Sequence, residues 1–251
     1  MNGGKEKSID YDSVSKVYDQ VRIGDPEMIL HLLEEFSPHS GSLVLDVGCG
    51  TANNTLLFQK STGAQIVGLD LSGGMLTEAT FKADLISLVQ APADMMPFQS
   101  NSFDIVFMTE VIHHLPDAAS VIHEMSRVLA GGLMCIVTQS HEQIEKRMTS
   151  RFFPATVAID KARYPDIPEI ERHMKSAGLE SIWSKQYKFS PVILGEEYLD
   201  TVSRKGYSML HKIPENDYQE GLKALRQAIA NCEKLDYAAG YTYVWARKDV
   251  D

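Results

Sequence analysis

Residues 44–55 read VLDVGCGTANNT, an apolar run that passes an aspartate and two glycines before a stretch of helical character. The continuous run SLVLDV is typical of a strand that is covered on both faces. Glycine at positions 48 and 50 permits positive φ and lets a ligand approach the main chain. The start of the next helix offers N–H groups and a positive dipole end, which suit a carboxylate or phosphate. A bare tight turn is the alternative interpretation of this loop.

The same alternation of strand and helix continues along the chain. Apolar runs at 65–72 (QIVGLDLS), 86–90 (ISLVQ), 103–108 (FDIVFM) and 133–139 (LMCIVTQ) predict strands, and 73–82 predicts a helix. Residues 117–132 predict another helix, with Asp117 as its N-cap and Gly131–Gly132 as its end. Strands joined by helices at this spacing form a parallel sheet with right-handed crossovers. The sequence therefore predicts a doubly wound α/β fold.

The flanking regions predict additions to this core. Periodic apolar residues predict helix over 11–36, and helices are also predicted over 141–161, in 168–178 and within 191–236. The end of the chain, AGYTYVWARK, alternates like a strand. We predict a single domain over 1–251. It comprises an N-terminal helical lid (1–36), a cofactor-binding core (37–140), helical cap insertions (141–165 and 191–236) and a final antiparallel strand (237–251).

Composition excludes some functions. The chain has 251 residues and a formal net charge of −10, whereas nucleic-acid binding relies on lysine and arginine at phosphates. No apolar stretch is long enough to span a bilayer, and the N-terminus is polar. Three cysteines at irregular spacing fit neither a zinc site nor a disulfide framework. We therefore expect free thiols, no metal, no nucleic-acid or membrane partner, and a cytoplasmic location.

The residue spacing in the glycine loop differs from that of two common nucleotide-binding motifs. A dinucleotide fingerprint needs glycine or alanine where Asn53 stands, and the lysine of a P-loop is absent. Asp70 ends the second strand, where a carboxylate can accept both ribose hydroxyls. Capping of the next helix is its alternative role, which Ser72 can also fill. Asp94 and Ala93 follow the third strand, where an adenine edge would lie, although Asp94 alone suits a loop or cap equally.

Four stretches resemble, in order, the motifs of class I S-adenosylmethionine-dependent methyltransferases, and within that class the type 11 group. They are VLDVGCGTANNT (44–55), VGLDLSGGML (67–76), APADMMPFQSNSFDIVFMTEVIHHLPD (91–117) and EMSRVLAGGLMCIVT (124–138). YDSVSKVYDQVR (11–22) and YTYVWARK (241–248) extend the resemblance. It implies a Rossmann-like sheet of seven strands, the last one antiparallel between the fifth and sixth. Ala52 replaces a third glycine that is usual in the family, and we expect little effect from this departure.

The resemblance also implies that the cofactor is S-adenosyl-L-methionine, which leaves as S-adenosyl-L-homocysteine. It assigns the shape of the first loop to Asp46 and the ribose to Asp70. Leu71 and Met95 would sandwich the adenine, and Asp94 would accept from its amine. The loop after strand one would contact the methionine part, strand four would face the sulfonium, and the N-terminal helix would close over the carboxylate. The cofactor residues implied in these places are Tyr18, Arg22, Gly48, Cys49, Gly50, Met75, Ala93, Thr109 and Glu110.

Methyl transfer from a sulfonium is an in-line displacement, so a general base is needed only if the acceptor loses a proton. His113, His114 and His141 are candidates, and we assign His114 and His141 to catalysis. Arg151 and Tyr164 belong to an aromatic and basic group that can bind the acceptor, or can simply pack in the cap.

The resemblance implies a small-molecule acceptor and leaves a monomer or homodimer open. Four alternatives remain: a binding protein for the cofactor without catalysis, a methyltransferase for proteins, a nicotinamide-dependent dehydrogenase, and aminopropyl transfer.

Overall fold

The computed structural model describes residues 24–82, 85–238 and 240–249. Tyr18 and Arg22, the predicted lid residues, lie outside these ranges. Within the described residues, seven strands form the main sheet in the order β3-β2-β1-β4-β5-β9-β6, and β9 is antiparallel to both of its neighbours. The predicted fold and the position of its last strand are confirmed. The strands are β1 Leu43–Val47, β2 Gln65–Asp70, β3 Ile86–Gln90, β4 Phe103–Thr109, β5 Leu129–Thr138, β6 Glu180–Lys188, β7 Val192–Ile193, β8 Asp236–Tyr237 and β9 Gly240–Lys248.

Helices cover both faces of the sheet and build the cap. None of the helices within the described ranges is long and apolar enough to cross a membrane. Short 3-10 turns lie at Ile112–His114 and Ser208–His211. The α-helices are α1 Pro26–Glu35, α2 Asn53–Thr62, α3 Gly73–Thr80, α4 Ala118–Val128, α5 His141–Glu145, α6 Met148–Phe152, α7 Ala155–Arg163, α8 Ile167–Ser176, α9 Glu196–Ser203 and α10 Glu215–Ala230.

The apolar strands are continuous because each face of the sheet packs against helices. In β4, Val106 and Met108 join the cluster formed with α4 and α8. Ile105 and Phe107 of the same strand join the cluster formed with α1 and α2 on the other face. Alternate residues point to opposite faces, so a strand buried on both faces needs an apolar side chain at nearly every position.

A third apolar cluster forms the interior of the cap. Phe152 and Phe153 pack there with Leu222 and Leu225 of α10. The segment after β6 leaves and returns through the two-residue pairing of β7 with β8, which the sequence did not predict. The cap helices lie within the predicted insertions, and the division of the chain into lid, core and cap stays a prediction.

The glycine pair after α4 has a different role from the predicted one. Helix α4 begins at its Asp117 cap, which accepts from Ser120 N at 3.1 Å, but it ends at Val128. Gly131 and Gly132 lie inside β5, with φ of +135° and +136°. A Cβ at Gly132 would stand 2.4 Å from the carbonyl oxygen of Asp104. Gly132 therefore permits close strand approach, and neither glycine ends the helix.

Candidate functional site

A cavity of about 770 Å³ opens at the carboxyl ends of the central strands. This is the edge at which open α/β sheets bind their ligands, and the volume suits a small molecule. Eleven predicted site residues line the cavity: Gly48, Cys49, Gly50, Asp70, Leu71, Met75, Ala93, Asp94, Thr109, Glu110 and His114. Among the predicted residues that the structure describes, Asp46, Met95, His141, Arg151 and Tyr164 lie outside its lining.

The glycine loop after β1 has the shape that a close ligand requires. Gly48 has φ +77°, and a Cβ there would stand 2.6 Å from the methyl groups of Val111. Gly50 has φ +54° and no heavy atom within 4 Å of a Cβ placed on it. The main chain is therefore bare toward the cavity at this point. Ala52, in place of the usual glycine, has φ +62°, where a Cβ costs about 1–2 kcal/mol.

Asp70 holds the glycine loop and the next helix together. Its Oδ2 accepts from Gly50 N at 2.8 Å, and its Oδ1 accepts from Ser72 N at 2.9 Å. The N-cap of α3 is Ser72, which accepts from Met75 N. Asp70 also lines the cavity, and the end of the second strand is where a carboxylate accepts ribose hydroxyls in open α/β sheets. The residues therefore fit a ribose at this position.

Asp46 lies beneath the loop rather than in the cavity. Its side chain is 1% exposed, and Oδ2 accepts from Thr55 Oγ1 at 2.6 Å, which ties β1 to α2. Burial raises the pKa of the Asp46 carboxyl to about 7, and the charge of Asp70 adds to this shift. Its place supports the predicted role in shaping the loop.

The raised pKa predicts a specific pH dependence. Native Asp46 holds a proton up to about pH 7, whereas an unfolded aspartate loses it near pH 4. Folded protein thus binds more protons between these values, and this contribution to stability falls as pH rises. We expect the stability of wild type relative to Asp46→Asn to decline from about pH 4 to about pH 7 and then stay constant. Urea unfolding of both proteins at several pH values measures this difference in the free energy of unfolding. A difference that does not change with pH would contradict a raised pKa for Asp46.

The predicted adenine contacts lie on the loops after β2 and β3. Leu71 is 67% exposed and Met95 is 72% exposed, which is unusual for large apolar side chains. Three residues of these loops line the cavity: Leu71, Ala93 and Asp94. Gln90 Nε2 donates to Leu71 O at 3.1 Å and joins the two loops. Leu71 lines the cavity but Met95 does not, so the adenine sandwich stays a prediction.

The other half of the cavity contains residues that the sequence did not indicate. Asp25 caps α1 by accepting from Met28 N, and both residues line the cavity. Tyr207 reaches the cavity from the cap, and Tyr241 reaches it from the start of β9. Because β9 is antiparallel to β5, its first residues lie beside the carboxyl end of β5. The Asp25-Pro26 helix start was a usable signal for Asp25, whereas Tyr207 had none.

The predicted histidines occupy different positions. His114 is exposed and lines the mouth of the cavity. Its ring centroid lies 4.0 Å from that of His113, which is buried and stacked on Tyr164 at 3.9 Å. His141 Nε2 lies 2.9 Å from the carbonyl oxygen of Tyr164, and His141 N donates to Asp166 Oδ1. His141 and Tyr164 therefore support the wall of the cavity from behind.

A buried ion network stands behind Glu110. Asp160 is 1% exposed and accepts from Arg147 Nη1 at 2.6 Å and from Arg163 Nη2 at 2.5 Å. The Glu110 and Asp160 charges help to raise the pKa of Arg147, although burial opposes them as the largest influence. Arg151, by contrast, is half exposed and pairs with Glu233. This network ties α7 to the residue that precedes α6, and it lies close enough to Glu110 of the cavity lining for their charges to interact.

Comparisons with known proteins cover this region of the chain. Residues 45–137 match the family model described as a methyltransferase domain. Demethylmenaquinone methyltransferase of Staphylococcus epidermidis is 33% identical over 137 residues, which are 51% of this chain and 57% of that protein. The chain thus spans little more than half of that relative. The enzyme of the same name from Staphylococcus carnosus is 26% identical over 79% of this chain and 92% of its own.

The fold also has solved counterparts. The structure of a protein from Anabaena variabilis, described as a methyltransferase from an antibiotic biosynthesis pathway, superposes with a TM-score of 0.77. It is 18% identical, and the match covers 90% of this chain and 99% of that one. At this identity the likeness shows the fold.

Proposed function

We propose that this chain, whose residues 45–137 match a methyltransferase domain, is a class I S-adenosylmethionine-dependent methyltransferase of the type 11 group that methylates a small-molecule acceptor. One observation carries this proposal: the glycine loop, Asp70 and Asp94 line the same cavity as Glu110 and His114. The residues predicted to bind the cofactor thus share one cavity with residues that could contact a second reactant. The relatives' name, demethylmenaquinone methyltransferase, supports a small acceptor. Cytoplasmic location and a monomeric or dimeric state stay predictions.

The residues of this site mainly bind and orient. S-adenosylmethionine, when bound, supplies a methyl group that is already activated by its sulfonium. Asp70 would accept the ribose hydroxyls, Asp94 the adenine amine, and the bare main chain at Gly48 and Gly50 would contact the methionine part. Holding two reactants in line lowers the activation barrier by roughly 7–11 kcal/mol, so positioning dominates this chemistry. Tyr207 lines the same cavity from the cap, and Tyr241 lines it from the start of β9.

Cofactor choice separates the proposal from a dehydrogenase. We expect S-adenosylhomocysteine to bind the purified protein saturably in calorimetry, while NADH gives no saturable heat. The fit of Asp70 to a ribose does not distinguish the two, but Asn53 departs from the dinucleotide fingerprint. Saturable NADH binding without S-adenosylhomocysteine binding would overturn the proposal.

The two histidines predict different mutant behaviour. His114→Ala should lower kcat by roughly a hundredfold or more if the acceptor loses a proton at the cavity mouth, because a positioned base is removed. His141→Ala is the matched control: its ring binds the Tyr164 carbonyl behind the wall, so its loss should reduce stability and change kcat less. Kinetics and thermal melts on both variants measure this. A larger loss of kcat in His141→Ala would reverse the assignment.

A further inference from the structure

Asn54 connects three elements that surround the glycine-loop end of the cavity. It lies in the first turn of α2 and is itself part of the cavity lining. Its Oδ1 accepts from the main-chain nitrogen of Asp25 at 2.8 Å. Its Nδ2 lies 3.4 Å from Thr109 Oγ1 and 3.6 Å from Met28 Sδ. One amide thus joins the start of α1, the helix after the glycine loop and the end of β4.

The contact with Asp25 fixes the orientation of this amide. A main-chain N–H can only donate, so the atom of Asn54 that faces Asp25 N must be the amide oxygen. The NH2 group consequently points toward Thr109 and donates to its hydroxyl oxygen. The orientation follows from the hydrogen-bond partners, since the shape of an amide is nearly the same either way round.

This donation sets the polarity of the Thr109 hydroxyl. A threonine hydroxyl has one proton to donate and two lone pairs that accept. Asn54 occupies one lone pair, and among the residues that the structure describes no acceptor lies within reach of the proton. Thr109 is 9% exposed and lines the cavity. Leaving a buried donor without an acceptor is costly, so this hydroxyl favours a ligand that brings an acceptor atom to it.

The position of Thr109 in the sheet indicates which part of the cofactor would lie there. β1 and β4 are parallel neighbours, with Asp46 beside Phe107. Two residues further along each strand come Gly48 and Thr109, and both line the cavity. The main chain at Gly48 is the predicted contact of the methionine part, which has a carboxylate that accepts and an ammonium that donates. A hydroxyl with a proton to donate matches the carboxylate.

We propose that Asn54 is a positioning residue, which orients the Thr109 hydroxyl as a hydrogen-bond donor to the methionine carboxylate of the cofactor. This rests on the proposed function and adds how the same site recognises its cofactor. A hydrogen bond to a charged acceptor is stronger than one between neutral groups, so its loss weakens binding measurably. Through its contact with Asp25, Asn54 also holds the start of α1 against the site.

Three ligands separate the carboxylate from the rest of the cofactor. Calorimetry compares S-adenosylhomocysteine, its decarboxylated analogue, and methylthioadenosine, which lacks both the carboxylate and the ammonium. Thr109→Val removes the hydroxyl at nearly constant volume. It should weaken S-adenosylhomocysteine binding about tenfold or more and leave the other two ligands nearly unchanged. Thr109→Ser keeps the hydroxyl and should bind all three ligands like wild type.

The same change at a second threonine is the matched control. Thr62 lies at the other end of α2, where its Oγ1 donates to Phe58 O at 2.9 Å. Thr62→Val should leave all three affinities unchanged. Wild-type affinity of Thr109→Val for S-adenosylhomocysteine, or an equal loss for all three ligands, would overturn the inference.

A double-mutant cycle connects the effect to Asn54. Asn54→Asp keeps the oxygen that accepts from Asp25 N and replaces the NH2 donor by a second oxygen, which would take the Thr109 proton for itself. An acidic residue in the first turn of a helix is favourable, so the variant should fold. S-adenosylhomocysteine affinity should fall about tenfold in Asn54→Asp. In the Thr109→Val background the same change should cost much less, because the hydroxyl through which it acts is absent.

Two further outcomes have distinct meanings. Repulsion between the new charge and the carboxylate would persist without the hydroxyl, so additive losses in the double variant would exclude the orienting role of Asn54. Failure of S-adenosylhomocysteine to bind the wild-type protein would remove the proposed function itself. Saturable binding with the wrong order of ligands or variants would remove only the contact between Thr109 and the carboxylate.

Discussion

Replacing Asp160 by alanine is expected to lower the free energy of unfolding by about 3–5 kcal/mol, which makes it the most destabilising change that we predict. The Asp160 carboxylate is 1% exposed and accepts from the guanidinium groups of Arg147 and Arg163. Without it, the guanidinium of Arg147 stays buried and loses its closest opposite charge. Removing one partner of a buried pair costs far more than the pair contributes net, since the remaining charge is still out of water.

A matched exposed pair provides the control for this experiment. Asp200 and Arg204 pair at 3.0 Å on the surface of α9, with side chains 57% and 77% exposed. Asp200→Ala should change stability by less than about 1 kcal/mol, because solvent screens such pairs. Denaturant unfolding of both variants gives the comparison. Equal losses in the two variants would contradict the buried network.

Replacing Asp70 by alanine is expected to weaken S-adenosylhomocysteine binding by about 1.5–3 kcal/mol, roughly tenfold to a hundredfold or more, measured by calorimetry. The variant loses the predicted acceptor for the ribose hydroxyls. It also loses the hydrogen bond from Gly50 N that fixes the glycine loop. Both losses act at the cofactor, so affinity should fall more than stability.

A second aspartate on the same sheet tests whether the effect is local. Asp104 Oδ2 accepts from Leu43 N at 2.8 Å, near the opposite end of the strands. Asp104→Ala removes a comparable carboxylate contact to the main chain and should leave cofactor affinity unchanged. If Asp70→Ala bound the cofactor as tightly as wild type, Asp70 would not belong to the site.

The core of the fold could be predicted because its signals are local. Strands buried on both faces need unbroken apolar runs, and Val106, Phe107 and Met108 show why: successive side chains enter opposite clusters. Caps are local as well, as Asp117 shows. Gly131 and Gly132 were misinterpreted because a glycine pair after a helical pattern looks like a stop. The role of Gly132 depends on Asp104 of the neighbouring strand, which no local pattern reveals.

The part of the cavity lining that follows β1 and β2 could likewise be predicted, and the part that the cap contributes could not. Gly48, Gly50 and Asp70 follow strands directly, so strand order alone brings them to one edge. Tyr207 comes from a cap whose path depends on tertiary packing and on a two-residue strand pair. Arg151 and Tyr164 carried suitable chemistry at the sequence level, yet one pairs with Glu233 at the surface and the other stacks behind the wall. Sequence shows which groups are present, but only packing decides which of them face the cavity.

Transfer of a labelled methyl group tests the central claim most directly. Purified protein is incubated with S-adenosylmethionine labelled in its methyl group and with extract from its own source, and the products are separated by size. Label in the small-molecule fraction, dependent on the protein and lost in Asp70→Ala, is the expected result. Label in the protein fraction would move the acceptor to a macromolecule. Absence of transfer despite measurable S-adenosylhomocysteine binding would contradict catalysis and leave a cofactor-binding protein.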